Sequence, residues 1–168
     1  MITTNELVIE TFNRLLAVCK AGEQAFRIAA HAVHDSELRT AFKQYSHQRA
    51  RMASELRMEI RLLGGEPEML DGMAMPPALA RVIAASAQTD QQAILQECEH
   101  MEEVVGHLFE EALDDSNMPF ELIIALRRQC GEIRLAMERL HTLERPVTVG
   151  PSHAVVQVDS PTLNSMRR

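Results

Sequence analysis

A chain of 168 residues is long enough for one domain with a substantial core and too short to suggest two. Only 4% of the residues are aromatic, none is Trp, and Ala, Leu, Glu, Arg and Met dominate, which argues against a sheet-rich fold and predicts packed helices. The net charge of −7, with acids and bases interspersed, argues against a nucleic-acid surface, and no apolar run approaches the roughly 20 residues needed to cross a bilayer.

Thr3 and Glu6 have the spacing of a capping box, and Val8, Phe12, Leu15, Cys19, Gly22, Phe26, Ala29 and Val33 then keep one apolar seam. This predicts a first helix over about residues 4–33. Asp35 and Ser36 make a short polar break and an N-cap, so a second helix, over about 36–63, must turn back antiparallel to the first. Its seam reads Leu38, Phe42, Tyr45, Arg49, Met52, Leu56, Glu59 (with Ile60 beside it) and Leu63, and Gly64-Gly65 stops it. Arg49 is out of place there, because an unpaired guanidinium is costly to bury.

Pro67, Pro76, Pro77 and several small residues then change the character of the chain, with room for a short helix over Ala78 to Ala87. A hairpin needs only a handful of residues, whereas the stretch from about 64 to 89 is long enough to run the full length of a bundle, which predicts a crossover. A third helix over about 90–114 buries Ile94, Cys98, Met101, Val105, Leu108 and Ala112. Asp114 to Asn117 break the pattern, and Pro119 is expected in the first turn of a fourth helix over about 118–143, with Ile123, Leu126, Cys130, Ile133, Met137 and Leu140 inward.

The fold class is therefore all-α: a four-helix bundle over residues 1–145, built as two antiparallel hairpins joined by a long crossover containing a short helix. Residues 146–168 form a tail in which only His153 to Val158 have β character, and it is expected to be disordered or packed on a partner. The N-terminus lacks a secretion-signal pattern, so the expected location is the cytoplasm. Cys19, Cys98 and Cys130 are far apart and in no C-x-x-C spacing, which predicts buried reduced thiols rather than a disulfide or a thiolate metal site.

Counted from the two predicted turns, Glu23, Arg49, Glu102, Gln129 and Glu132 each lie about 12 to 15 residues along helices of about 27, so one mid-bundle layer holds several carboxylates and an Arg. Glu23, Glu102 and Gln129 flank seam residues, whereas Glu132 points further round. Two readings fit. In one, the carboxylates face inward around Arg49; in the other, they are ordinary flank charges and Arg49 snorkels outward along its stem. Glu97 to His100 and Glu138 to His141 also have Glu-x-x-His spacing, but His100 and Glu138 point away from the seam. The remaining histidines do not cluster at ligand spacing, and no Ser, His, Asp or Cys, His pair is placed to act as a nucleophile.

The hairpin, crossover, hairpin order, Leu63-Gly64-Gly65-Glu66-Pro67 and Phe109-Glu110-Glu111-Ala112-Leu113 resemble the ferritin-like superfamily. Cys19-Lys20-Ala21-Gly22-Glu23, Gln48-Arg49-Ala50, Leu62 to Pro67 and Ala93 to Glu99 resemble, more narrowly, a bacterial ferritin-like family of unknown function, over about residues 5–143 and excluding the tail. Di-iron proteins of that superfamily take one Glu from each of two helices and a Glu-x-x-His pair from each of the other two. The resemblance places the single Glu positions on Glu23 and Glu102, one pair on Arg49 and Met52, and the other on Gln129 and Glu132, so both histidines are missing.

An Arg at a ligand position brings a positive charge to where a metal would sit and can satisfy carboxylates bidentately without one. The expectation is a degenerate di-iron site in which Arg49, Glu23 and Glu102 form a buried salt-bridge layer and no cofactor is held. The expected function is that of a non-enzymatic cytoplasmic protein, of the stress or housekeeping kind, acting by self-association or partner binding, with a homodimer as the default. The alternative is a metalloprotein that binds iron or another divalent ion through Glu23, Glu102, Gln129 and Glu132, in oxidation or storage.

Overall fold

The computed structural model describes residues 1–68 and 75–144. Among these there are five α-helices and no strand: α1 (Thr4–Ala32), α2 (Ser36–Leu62), α3 (Pro77–Ala87), α4 (Gln91–Asp114) and α5 (Phe120–Glu144). The expected tail, with His153 to Val158, lies outside the described residues.

Local chemistry sets the helix ends. At the start of α1 the Thr3 hydroxyl accepts from the Glu6 amide while Glu6 Oε2 accepts from the Thr3 amide at 2.6 Å, so two amides that no helix carbonyl could reach are satisfied. Asp35 caps α2 by accepting from Leu38 N at 2.8 Å, and Asp90 caps α4 by accepting from Ala93 N at 3.1 Å. Gly64, at φ 83°, ends α2: its amide donates to Arg61 O at 3.0 Å and that of Gly65 to Ile60 O at 2.9 Å, the paired bonds of a Schellman motif. α5 starts later than the expected residue 118. Asp115 to Met118 form a turn, and the Pro119 carbonyl accepts from Leu122 N at 3.0 Å, so Pro119 stands just ahead of the helix rather than inside its first turn.

The directions of the helices follow from their contacts. Gln91 Oε1, at the start of α4, accepts from His34 N at 3.2 Å and Asp35 N at 3.0 Å, which places the beginning of α4 beside the α1–α2 turn. Gln92 Nε2 donates to Glu144 Oε1 at 3.2 Å, so α5 ends at the same end of the molecule. At the opposite end, Asn13 Oδ1 accepts from Glu68 N at 2.9 Å and a Cβ on Gly65 would meet Ile9 at 2.9 Å, so the chain leaving α2 is held tightly against α1. α2 therefore ends at one end of the bundle and α4 begins at the other, and α3 packs on α1 and α4.

The main pairings are α1 on α2 and α4 on α5; α1 also lies on α4, α2 touches α5 lightly, and the backbones of α2 and α4 do not approach each other. α2 and α4 are consequently diagonal and parallel. Phe12, Leu15, Leu16, Phe26, Phe42, Met52, Leu56, Ile60, Ile94 and Phe109 are among the largest side chains fully buried between the helices, where removal of apolar area from water stabilises the fold. Among the described residues no helix is long and apolar enough to cross a membrane.

Candidate functional site

The diagonal helices meet through charge. Arg49 of α2 and Glu102 of α4 are both completely buried, and Arg49 Nη2 donates to Glu102 Oε2. Arg49 Nη1 donates to Gln48 Oε1 at 2.8 Å and lies 3.4 Å from Met52 Sδ, and the guanidinium carbon sits 6.0 Å from the centre of the Phe26 ring. Phe26 is in turn packed on Phe42 and Tyr45, so an aromatic cluster covers one side of the cation. Among the described residues Arg49 Nε and Glu102 Oε1 have no hydrogen-bond partner, so the pair is joined by one link rather than a bidentate fork. Burial raises the Glu102 pKa above the ordinary carboxylate value, against the pull of Arg49.

Gly22 of α1 makes room for this arrangement. A Cβ built there would lie 3.3 Å from Arg49 Cγ and 3.4 Å from Cδ, so the absent side chain is the channel through which the Arg stem reaches the centre. The sequence carries a signal for this role: a glycine on the helix 1 seam, one residue before Glu23 and thus at the depth of Arg49.

The other expected site residues are placed differently. Glu23 does not join the pair: one position past the seam, it turns along its own helix, and its Oε2 accepts from Lys20 Nζ at 2.8 Å with the side chain partly exposed. A lysine three residues back is a nearer partner than a guanidinium across the bundle. Glu132 lies at the surface between Arg51 and Arg128, accepting from Arg128 Nη1 at 2.9 Å. Gln129 is buried, and its Nε2 donates at 2.6 Å to Glu55, which also accepts from Arg128 Nη2 at 2.7 Å. Burial pushes the Glu55 carboxyl up, but the hydrogen bonds from Arg128 and Gln129 outweigh it and hold the pKa below its usual value.

Glu23, Glu102 and Glu132 therefore do not converge on a point. Lys20, Arg49 and Arg128 with Arg51 already supply each with a cation, a donor set that does not fit a shared metal. Burial pushes the Cys19 thiol, close to Arg49, up to about 12, so it is uncharged at neutral pH.

Two features were not foreseen. The Arg51, Glu55, Arg128 and Glu132 ladder ties α2 to α5, and beside it a cavity of 260 Å³ opens between them, lined by Phe12, Leu56, Met58, Ala125, Leu126 and Gln129. Met58, which lines the cavity, and Leu62 are exposed on α2, and Phe120, Ile124 and Leu135 are exposed at helical spacing along one stripe of α5. Phe120 is 71% exposed and Leu135 66%, unusual for side chains of that size. Elsewhere, Glu99 of α4 meets His141 and Glu144 of α5.

The model of a family described as a domain of unknown function, DUF2383, matches residues 7–115, from the first turn of α1 to the end of α4. No curated protein matches the chain.

Proposed function

We propose that this chain, which belongs to the DUF2383 family, is a non-enzymatic ferritin-like bundle of the cytoplasm whose centre is closed by an ion pair in place of a di-iron site, and which acts by self-association. The observation that carries the reading is the complete burial of Arg49 against Glu102. A guanidinium fixed in the middle layer repels the divalent cation that ferritin-like enzymes hold there, and it already engages Glu102, the one fully buried carboxylate among the described residues. The full-length crossover and the diagonal pairing of α2 with α4 support the ferritin-like topology.

With the centre serving packing, function falls to the surface. Phe120, Ile124 and Leu135 make an exposed apolar stripe on α5, flanked by Arg127 and Glu138, and Met58 and Leu62 are exposed on α2. A second copy turned antiparallel would set Ile124 of each chain on Leu135 of the other, so the apolar stripe of α5 can pair with itself.

Two measurements test this. Sedimentation of the full chain at micromolar concentration is expected to give a dimer, and Ile124→Asp with Leu135→Asp a folded monomer; a monomeric parent chain overturns self-association. Anaerobic Fe(II) loading with metal analysis addresses the centre. Stoichiometric iron that disappears in a folded Glu23→Ala, Glu102→Ala variant would overturn the closed centre and favour storage or oxidation through Glu23, Glu102, Gln129 and Glu132.

A further inference from the structure

Near the end of the bundle that carries the α1–α2 turn, α4 and α5 bring together three metal-binding side chains that belong to none of the arrangements above. Glu99 Oε1 lies 2.7 Å from His141 Nδ1, and His141 Nδ1 lies 3.9 Å from Glu144 Oε2. One ligand atom from each of the three falls within 4.8 Å of the others. His141 and Glu144 are three residues apart and so share a face of α5, while Glu99 comes from the facing helix; the cluster is a product of the fold.

The charge of this cluster is what singles it out. Other carboxylates that reach across a helix seam meet an arginine: Glu102 meets Arg49, Glu55 meets Arg128, Glu132 meets Arg51, Glu97 meets Arg81 and Glu37 meets Arg139. Glu99 and Glu144 have only His141 as an ion-pair partner among the described residues. Two carboxylates are thus held together with an imidazole and no arginine or lysine, at a place where the Glu99 side chain is only 15% exposed.

The carboxylates are also oriented. Gln92 Nε2 and Gln96 Nε2 each donate to Glu144 Oε1 at 3.2 Å, which fixes that oxygen and leaves Oε2 for the site. Hydrogen bonds of this kind hold metal ligands in position and tune their affinity. Ligands on one tetrahedral zinc ion lie about 3.4 Å apart, and the 2.7 and 3.9 Å separations bracket that value, so small rotamer shifts bring all three into range.

We infer that Glu99, His141 and Glu144 bind one divalent transition-metal ion of the zinc class, with the fourth position open to solvent beside the exposed His141. An imidazole with two carboxylates suits zinc and its first-row neighbours better than calcium or magnesium, which take oxygen alone. The ion would clip the end of α5 to α4. This site shares no residue with the mid-bundle set, so its failure would leave the reading of Arg49 untouched.

The test is calorimetric titration of the chelator-treated full chain with zinc chloride, alongside thermal melting with and without zinc. One zinc per chain is expected, with affinity about 10-fold or more weaker in His141→Ala and in Glu99→Gln, and with a zinc-dependent rise in Tm that those variants lose. His100→Ala, at a surface histidine paired with Glu103, should bind as the parent chain does. Absence of saturable binding would overturn the inference and leave a carboxyl–carboxylate pair sharing a proton. Binding unchanged in His141→Ala, or equally weakened in His100→Ala, would overturn it too.

Discussion

Arg49→Met is the substitution with the most to reveal. Glu102 Oε2 has Arg49 as its partner and Oε1 has none among the described residues, so the variant strands a fully buried carboxyl group. Removing one member of a buried pair costs about 3 to 5 kcal/mol. The carboxyl can escape part of that by taking a proton. From an ordinary value of 4.5, staying protonated at pH 7 costs about 3.4 kcal/mol at roughly 1.4 kcal/mol per pH unit, which caps the electrostatic share of the loss. The sign follows: Glu102 is already raised in the parent chain, and loss of the lowering pull of Arg49 raises it further, so the variant's stability relative to the parent chain is greatest at low pH and declines as pH rises through the parent's raised value. Urea denaturation followed by circular dichroism should show a loss of about 3 to 5 kcal/mol at pH 7 that shrinks toward about 1 kcal/mol near pH 4.5. The double variant Arg49→Met, Glu102→Leu should recover most of it, giving a coupling of about 2 kcal/mol or more. A loss below about 1 kcal/mol at pH 7, or one independent of pH, would refute the buried pair.

The channel at Gly22 predicts that Gly22→Val, which presses on Arg49 Cγ, destabilises by about 1 to 3 kcal/mol in the same assay, and that the loss is relieved in an Arg49→Ala background. By contrast Gly64→Ala, where a Cβ meets nothing but φ is 83°, should cost about 1 to 2 kcal/mol from backbone conformation alone, in either background. Cys19 and Cys98 are fully buried with thiol pKa values pushed up by burial, Cys19 to about 12, so both should resist a disulfide reagent at pH 8 until the chain is denatured, and prompt reaction of either would contradict their burial.

The seams, the breaks and the crossover are legible in the sequence because each rests on a local rule: helical period, capping residue, or a Gly-Gly stop. Counting along helices also brings Arg49 and Glu102 to one depth, since rise per residue is constant. What counting cannot supply is rotation and competition. Glu23 has the depth for the central layer, but Lys20 on the same helix takes it. Glu132 finds two arginines at the surface before it can reach the core. His141 illustrates the same limit from the other side: its own Glu-x-x-His partner, Glu138, points away, yet Glu99 arrives from a helix some forty residues earlier. Pairings within a helix are written in the spacing; pairings between helices depend on azimuths that shift with every bulky neighbour.

The central pair is an unlikely device for stability, since buried ion pairs often do no better than apolar residues of similar volume. Here it is incomplete as well, with Arg49 Nε and Glu102 Oε1 unpartnered among the described residues. Its value lies in what it forbids. A heptad seam of Leu, Met, Ile and Ala can slide by a turn at small cost, because one apolar side chain replaces another. A slide of α2 against α4 would instead separate a buried cation from a buried anion, and would also carry Arg49 away from the gap that Gly22 leaves for it. One polar contact between diagonal helices, fitted to one missing side chain on a third, therefore fixes the register of the bundle in a way that the apolar seams alone do not.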